Sequence, residues 1–582
     1  MAKKTLDVRK DLGRTNLAEF ISYTWQSYHT QRIGIINQWK ELRDYVFATD
    51  TSTTTNGKLP WKNSTTTPKL CQIRDNLHSN YISALFPNDE WLQWEAYSRQ
   101  GAAKDKAEAI RAYMSNKTRI SGFRDEIDKL VYDYIDYGNA FATTDYVTAY
   151  MTNTANEKVI DYQGPVAKRI SPYDIVFNPL ANSFAESWKI VRAIKTLGEL
   201  KADSLEQPDN VKLHEALLKR AKLKSVLQTH SIEDQDKAQG FSIDGFGNYS
   251  EYINSGYVEL LNFYGDYYDE ETDTLYKGHH IVVMDRMHVV YNEPIPDWLG
   301  SAPIYHVGWR KRPDNLWAMG PLDNLVGMQY RIDHLENAKA DAMDLAIMPP
   351  IKVKGDVEAF AWGPNARIDM DENADIEELA RNVQWVLQAD SAIDRLEMKM
   401  EQYAGAPREA MGIRTPGEKT AFEVQRLDNA AGRIFQEKVS NFEIQLLEKV
   451  LNSMLEQAKR HLDSSDTVAV VDDDISATVF MSITKNDITA SGVIRPIGAR
   501  HFAAQAQLVQ NLTQLSNTQV WTQITPHTSS IALSKLVEDV LGLRRYQLFK
   551  PNISVTEQQQ TARLMNQASE SLMVEQTVPP PA

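Results

Sequence analysis

The chain has 582 residues, 42% of them hydrophobic and 24% charged, a globular composition whose length predicts two to four domains. Its net charge of −15 lacks the basic balance of a protein that binds nucleic acid tightly. Simple solubility is the favoured explanation of this charge, and loose contact with DNA is the functional alternative. The single cysteine, Cys71, excludes an intrachain disulfide and fits a reducing compartment. Because there is no long uncharged apolar run and no apolar core at the start, neither a membrane span nor a signal peptide is expected.

The N-terminal region is predicted to be mainly helical. Apolar residues follow three- and four-residue steps through the first helix, with one gap between Tyr28 and Ile35 that spans two turns. The segment EWLQWEAYS has the pattern of a strand, and Gly138 suits the left-handed residue that closes a helix. The predicted helices cover Thr15–Phe47, Pro68–Phe86 and, as a pair, Lys104–Tyr137.

From Asn139 to Tyr305 the apolar period changes towards two, which is typical of strands. FATTDYVTAYM, VAKRISPYDIVFNPLA and WKIVRAIKT are predicted strands joined by turns, and YVELLNFYGDYY with LYKGHHIVVMDRMHVVYN forms a hairpin or meander. Lys201–His230 is predicted to be a charged helical insertion without a long apolar stripe. The fold class is therefore α+β and predominantly helical, not an alternating βαβ chain.

Three helices dominate the second half of the sequence. The first is predicted from about Pro321 to the prolines at 349 and 350, and the second from Asp390 to Tyr403, with a mixed piece of strands and a small helix between them. The third begins at the capping box Thr415-Pro416-Gly417-Glu418 and runs to about Leu462. Its length of roughly 70 Å requires neighbours along the helix. The apolar stripe expected on the first helix is Leu325, Met328, Ile332, Leu335, Ala338, Ala342 and Leu345.

The C-terminal part is predicted to contain two strands, TVAVV and ATVFMSITK, followed by helices from about Arg500 to Leu543. The tail from Pro551 is rich in Gln, Ser and Thr and ends in PPPA, so it is expected to be mobile.

Motifs that carry chemistry are absent from the sequence. There is no G-x-x-x-x-G-K-[ST] loop, no G-x-S-x-G elbow and no H-E-x-x-H pair, and one cysteine cannot form a thiolate zinc cluster. We therefore expect no catalytic residue, no metal and no cofactor.

Four charged or histidine-containing stretches allow a functional and a structural interpretation. The acidic turn Asp266–Asp273 lacks the glycine and spacing of an EF-hand, so a solvated hairpin turn is favoured, and Asp472–Asp474 is better read as a charged strand end than as a metal site. His279 and His280 should face opposite sides of a strand and cannot share a metal. The basic run Arg310–Arg312 would meet either phosphate or the carboxylates of a neighbouring subunit.

Three stretches, in this order, resemble portal proteins of short-tailed double-stranded DNA phages. The likeness consists of diffuse patterns over about Asn16 to Leu543, without an invariant signature. The stretches are KLPWKNSTTTPKLCQIRDNLHSNYISALFPNDEWLQWEA, KRISPYDIVFNPLANSFAESWKIVRAIKTLGEL and, as the strongest, WRKRPDNLWAMGPLDNLVGMQYRIDHLENAKADAM.

This resemblance implies a ring of about twelve subunits at a capsid vertex, assembled in the host cytoplasm and then part of the virion. The ring would form the channel for DNA packaging and ejection. Its partners would be further copies of the chain, major capsid and scaffolding proteins, the terminase motor, tail adaptor proteins and weakly bound double-stranded DNA, with no membrane. The implied division is N-terminal helices and wing over 1–320, outer stem helix over 321–348, clip over 349–388, inner stem helix over 389–404, tunnel loop over 405–415, long wing helix and strands over 416–499, crown helices over 500–550 and a flexible tail over 551–582.

The same resemblance implies three groups of site residues. Acidic side chains on the inner stem helix would face the channel and repel the DNA backbone, so that DNA slides and is not trapped. The tunnel-loop residues would touch passing phosphates or form salt bridges within the ring, two alternatives that stay open. The groups are Arg408, Glu409 and Arg414 in the tunnel loop; Asp390, Asp394, Glu397 and Glu401 on the inner stem; and Lys352, Lys354 and Trp362 in the clip.

Two other classes of protein compete with the portal interpretation. Another structural ring of the virion, such as an adaptor or a tail-tube component, would usually be shorter and lack the helix–clip–helix hairpin. A cytoplasmic enzyme would need a convergent catalytic set, which the sequence does not offer within one chain, although a set formed across subunits would escape such a search.

Overall fold

The fold is known from a computed structural model of the chain. It describes residues 6–8, 17–47, 63, 65–86, 91–96, 102–152, 156–206, 210–222, 257–270, 272–296, 298, 302–347, 350–355, 373, 375–378, 384–405, 434–462, 465–472, 477–489 and 492–496. About 52% of these residues are helical and 32% lie in strands, so the predicted α+β class is confirmed. Predictions for the C-terminal helices from Arg500 and for the tail lie outside the described residues.

The described helices and strands alternate irregularly along the chain. The helices are α1 Leu17–Gln31, α2 Ile33–Val46, α3 Lys69–Leu85, α4 Ala102–Ile120, α5 Phe123–Asp136, α6 Leu197–Glu206, α7 Val211–Lys222, α8 Val326–Ile347, α9 Gln384–Ala404, α10 at 434–461 and α11 Lys485–Ile488. The strands are β1 Leu6–Val8, β2 Leu92–Ala96, β3 Asn139–Thr152, β4 Lys158–Ile170, β5 Ile175–Phe177, β6 Lys189–Thr196, β7 Tyr257–Asp269, β8 Thr274–Met284, β9 His288–Pro294, β10 Ile304–Gly308, β11 Arg310–Arg312, β12 Asn315–Met319, β13 Ile351–Lys354, β14 Asp375–Glu378, β15 Ser465–Asp472, β16 Ala477–Thr484 and β17 Gly492–Pro496.

Two sheets organise the main compact unit, which comprises Met1–Leu85 and Leu92–Pro496. The larger sheet has the order β5-β6-β7-β8-β9, with β1 added in parallel to β7, and the predicted meander is confirmed. The smaller sheet has the order β10-β3-β4. In the second unit, Phe86–Trp91 with Ile497–Ala582, the rings of Phe86 and Trp91 meet edge to face at 4.8 Å.

The predicted first helix is in fact two helices, because the chain breaks at Arg32. The buried guanidinium of Arg32 donates hydrogen bonds to the carbonyl oxygens of Pro172, Tyr173 and Ile175 at 2.6 to 2.8 Å. The break lets α1 cover the larger sheet while α2 enters an aromatic core around Trp39. The apolar gap between Tyr28 and Ile35 was the sequence signal for this break.

Gly138 joins α5 to β3 in the left-handed conformation that the sequence predicted, with φ of +67°. A Cβ here would lie 2.3 Å from the backbone nitrogen of Gly320, so only glycine fits both the dihedral angle and the close approach.

The described part of the charged insertion is helical, as predicted, and consists of two helices, α6 and α7, with the rest of the predicted segment outside the described residues. It also has a short apolar face, because Leu213, Ala216 and Leu217 of α7 pack with Leu200 against the larger sheet. Two turns of helix suffice for this contact, so no long stripe is needed.

The long third helix is described over its second part only, as α10, and its predicted capping box lies outside the described residues. A π-helical turn at Glu443–Leu447 interrupts it. Its apolar face is fully buried, and Ser453 and Gln457 contact Thr144 of β3. The described part thus finds its neighbours in its own chain, and its length is not by itself an argument for a second subunit. In the portion of the chain that the structure describes, no helix is both long and apolar enough to cross a membrane.

Candidate functional site

The candidate site is a helical hairpin formed by α8, the short β13–β14 ribbon and α9. Lys339 in the second half of α8 pairs with Asp390 near the start of α9, with Nζ and Oδ1 2.7 Å apart. The start of α8 and the end of α9 both reach the segment around Lys69. The two helices therefore run antiparallel, as a chain reversal through β13 and β14 requires.

The start of α8 differs from the prediction. The helix begins at Val326, because Pro321 and Leu322 lie in a turn in which the Asp323 carboxylate accepts a hydrogen bond from the Gly320 N–H at 2.8 Å. Of the predicted apolar stripe, Leu325 and Ile332 are fully buried, whereas Ala338 is exposed.

The buried face of α8 is polar instead, and we call it the polar ladder: Gln329, Asp333, Asn337 and Asp341, spaced four residues apart. These side chains bind the backbone of an extended segment that precedes α3. The Thr65 N–H donates to Asn337 Oδ1 at 2.8 Å, and Asn337 Nδ2 returns a bond to the Thr65 carbonyl at 3.0 Å. The Thr67 N–H donates to Asp333 Oδ1 at 2.9 Å.

The polar ladder continues at both ends. The Asn63 N–H donates to Asp341 at 2.7 Å, and the Leu70 N–H donates to Gln329 at 3.2 Å. Burial raises the pKa of Asp333 to about 6, against the hydrogen bonds from Thr67 and Gln329, which lower it. The sequence analysis missed the polar ladder, although the sequence shows its four polar residues at four-residue spacing, which places them on one helix face.

Lys69, the first residue of α3, connects the extended segment to α9. Its ammonium lies 2.6 Å from Glu401 Oε1 and 3.2 Å from Glu397 Oε2. Both Lys69 and Glu401 are buried, at 5% and 4% exposure. A buried cation between two carboxylates fixes the end of α9 against α3.

The four acidic residues predicted to face a channel therefore have different surroundings. Glu401 is buried against Lys69, and Glu397 shares the same lysine. Asp390 is paired with Lys339, and Asp394 is exposed. Three of the four carboxylates thus have a lysine partner within the chain, and their place in a channel stays a prediction.

The clip and tunnel-loop residues are described only in part. Lys352 of β13 lies opposite Glu377 of β14, with Nζ and Oε2 3.1 Å apart in an exposed pair, and Lys354 is exposed opposite Asp375. Trp362, Arg408, Glu409 and Arg414 lie outside the described residues.

A cleft of about 280 Å³ lies between α2, α3 and α5. In its wall, Arg74 binds Asp136 through two hydrogen bonds of 2.7 Å, and Arg169 binds Asp133 in the same two-pronged way. Burial raises the pKa of Asp133 to about 7, against Arg169, which lowers it. Each of these two carboxylates is thus held by an arginine, and Arg43 and Lys129 add two further cations to the lining.

Of the other stretches, the acidic turn closes the β7–β8 hairpin, where the Tyr268 hydroxyl donates to Asp273. Asp472 ends β15, and Asp473 and Asp474 lie outside the described residues. His280 stacks on Tyr264 at 4.3 Å, whereas His279 contacts Asn292 at 2.9 Å, so the two rings do not converge. Among the described residues, no group of three or more His, Cys, Asp or Glu side chains could hold a metal ion.

Large apolar side chains are exposed along the hairpin. Ile347 is 72% exposed at the end of α8, and Tyr403 is 62% exposed at the end of α9. Single exposed apolar residues are ordinary, whereas several on one helical hairpin make it a candidate partner surface. The full set is Tyr330, Met343, Ile347, Val353, Met398 and Tyr403.

No protein-family model matches the chain, and no curated protein sequence is significantly similar to it. The functional argument therefore depends on the residues and their geometry.

Proposed function

We propose that the chain is one subunit of a ring-shaped phage portal, the connector through which genomic DNA enters and leaves the capsid. Its partners are further copies of itself, capsid and scaffolding proteins, the terminase motor, tail adaptor proteins and the passing DNA. α8 and α9 serve as the two stem helices and β13–β14 as the base of the clip. The role is structural, and the motor is a separate protein.

The observation that carries this proposal is the helical hairpin with exposed apolar side chains. The antiparallel helices bury the polar ladder against their own chain. They nevertheless leave Tyr330, Ile347 and Tyr403 in solvent, so part of their packing surface is uncovered in a monomer. A closed ring covers such a surface on every subunit, because each copy supplies one side of the contact to the next.

Fewer acidic side chains support the proposal than the sequence indicated. The net charge of −15 disfavours tight DNA binding over the chain as a whole, as a conduit requires. The inner stem contributes Asp394 as an exposed carboxylate, whereas Glu401 holds the hairpin in place.

Electron images of the purified full-length protein test the proposal directly. We expect rings of about a dozen subunits with a central hole, and a mass in solution that agrees with the count. A monodisperse monomer whose mass does not change with concentration or salt would overturn the portal proposal.

A further inference from the structure

A cluster of cations lies where the β11–β12 hairpin crosses α10. We call it the basic patch: Arg310, Lys311, Arg312, Lys438 and Lys449. The amino group of Lys311 reaches Gln445 Oε1 of α10 at 2.6 Å, and Lys438 and Lys449 of the same helix lie close enough to Lys311 to lower its pKa. The patch therefore joins two elements that are far apart in sequence.

The cations of the basic patch are held by neutral groups. The Arg310 guanidinium lies 5.1 Å from the centre of the Trp309 ring, and the Lys438 ammonium lies 5.2 Å from the same centre. Trp309 is fixed in turn by a hydrogen bond from its Nε1–H to the Tyr81 hydroxyl at 3.0 Å. An aromatic ring or an amide stabilises a cation without cancelling its charge.

Several lysines elsewhere in the described chain are paired more closely with carboxylates. Seven of them have a carboxylate oxygen within 3.1 Å: Lys69, Lys129, Lys168, Lys195, Lys339, Lys352 and Lys459. In the basic patch the one such contact among the described residues is a longer one, 3.7 Å between Lys438 and Glu437. The nearby carboxylate of Asp323 is turned to the Gly320 N–H.

The positive charges of the patch also act on one another. The pKa of Lys311 is lowered, first by burial and then by repulsion from Lys449 and Lys438. Two described carboxylates offset part of this charge: Glu437 lies 3.7 Å from Lys438, and Arg310 and Arg312 lower the pKa of Asp323 against the effect of its burial. In a chain of net charge −15, the basic patch is thus a local exception.

We propose that the basic patch binds the phosphodiester backbone of double-stranded DNA, without reading its sequence. Exposed Lys311, Arg312 and Lys449 supply the phosphate contacts, and Arg310 and Lys438 are positioned behind them by Trp309. Lys438 and Lys449 span about 16 Å along the helix, over which each DNA strand presents about five phosphates. This contact needs only one chain, so the inference does not depend on the proposed ring.

The test compares two variants of the full-length protein that lose the same charge. K311Q/R312Q/K449Q removes the exposed cations of the basic patch, and K158Q/K201Q/K212Q removes three exposed lysines elsewhere. Anisotropy of a fluorescent duplex gives the dissociation constant over a series of salt concentrations. We expect the patch variant to bind about tenfold more weakly at low salt and to lose about 2.7 from the slope of log K against log salt, because each lost phosphate contact removes about 0.9.

Equal weakening by both triple variants would reduce the effect to net charge and overturn the inference. Unchanged duplex binding together with loss of self-association in the patch variant would assign the surface to a neighbouring subunit instead. Should the triple variant unfold, K449Q at an exposed helix position must still lower the slope by about 0.9. If the protein forms no rings but still binds the duplex through the basic patch, the portal proposal is refuted and the DNA-binding inference stands.

Discussion

Lys69 shows how one side chain decides the geometry of the candidate site. It lies at the junction of the extended segment, α3 and α9, and it turns Glu401 from a predicted channel charge into a buried partner. The sequence does not mark this role, because the two residues are 332 positions apart and neither stands in a motif.

We expect Lys69→Met to destabilise the protein by about 3 to 5 kcal/mol, because it leaves Glu401 buried without a cation. Lys339→Met, which breaks the exposed pair with Asp390, should cost less than about 1 kcal/mol. Urea unfolding of both variants measures the difference. Equal losses of stability in the two variants would mean that the Lys69 cluster does not depend on charge. If it does depend on charge, adding Glu401→Gln to Lys69→Met should recover part of the lost stability.

At the scale of elements, the sequence predicted those helices and strands that are determined by the apolar pattern of their own segment. Strands such as β3 and β7 and helices such as α3 follow from apolar periods within the segment itself. The strand β17 was missed, because it pairs with β2 almost 400 residues earlier, and the hairpin β11–β12 was not predicted either. Of the candidate site, the two helices were predicted, whereas the polar ladder was not, because its partner is backbone 266 residues away for the Asp333–Thr67 bond.

The contribution of the polar ladder to stability can be tested by removing one of its side chains. Asn337→Ala removes both hydrogen bonds to Thr65, so we expect the Thr65 amide to exchange its hydrogen faster and the protein to lose about 1 to 3 kcal/mol. His334→Ala, at an exposed position of the same helix, should change neither quantity. Hydrogen exchange followed by mass spectrometry reports on the segment. Unchanged protection in Asn337→Ala would show that the extended segment is held by other contacts.

At the scale of the whole molecule, the hairpin surface and the long helix have to be weighed separately. Most apolar side chains in the described part of α10, apart from Ile434 and Ile444, are buried in its own chain, so the length of this helix is no argument for assembly. The exposed apolar residues of α8, β13 and α9 have no such cover among the described residues, and a hairpin with this surface is the feature that a ring would complete.

The interface is therefore expected to depend on side chains that fold stability does not need. Ile347→Glu with Tyr403→Glu places charges on the hairpin surface, so rings should be lost in electron images while the thermal midpoint of the monomer changes little. Leu205→Glu with Leu218→Glu, at positions of α6 and α7 that are 81% and 67% exposed, adds the same two charges as a matched control and should leave rings intact. Rings that persist in the double variant would move the subunit contact away from the hairpin. Rings lost in the control as well would mean that added negative charge, and not the hairpin surface, limits assembly.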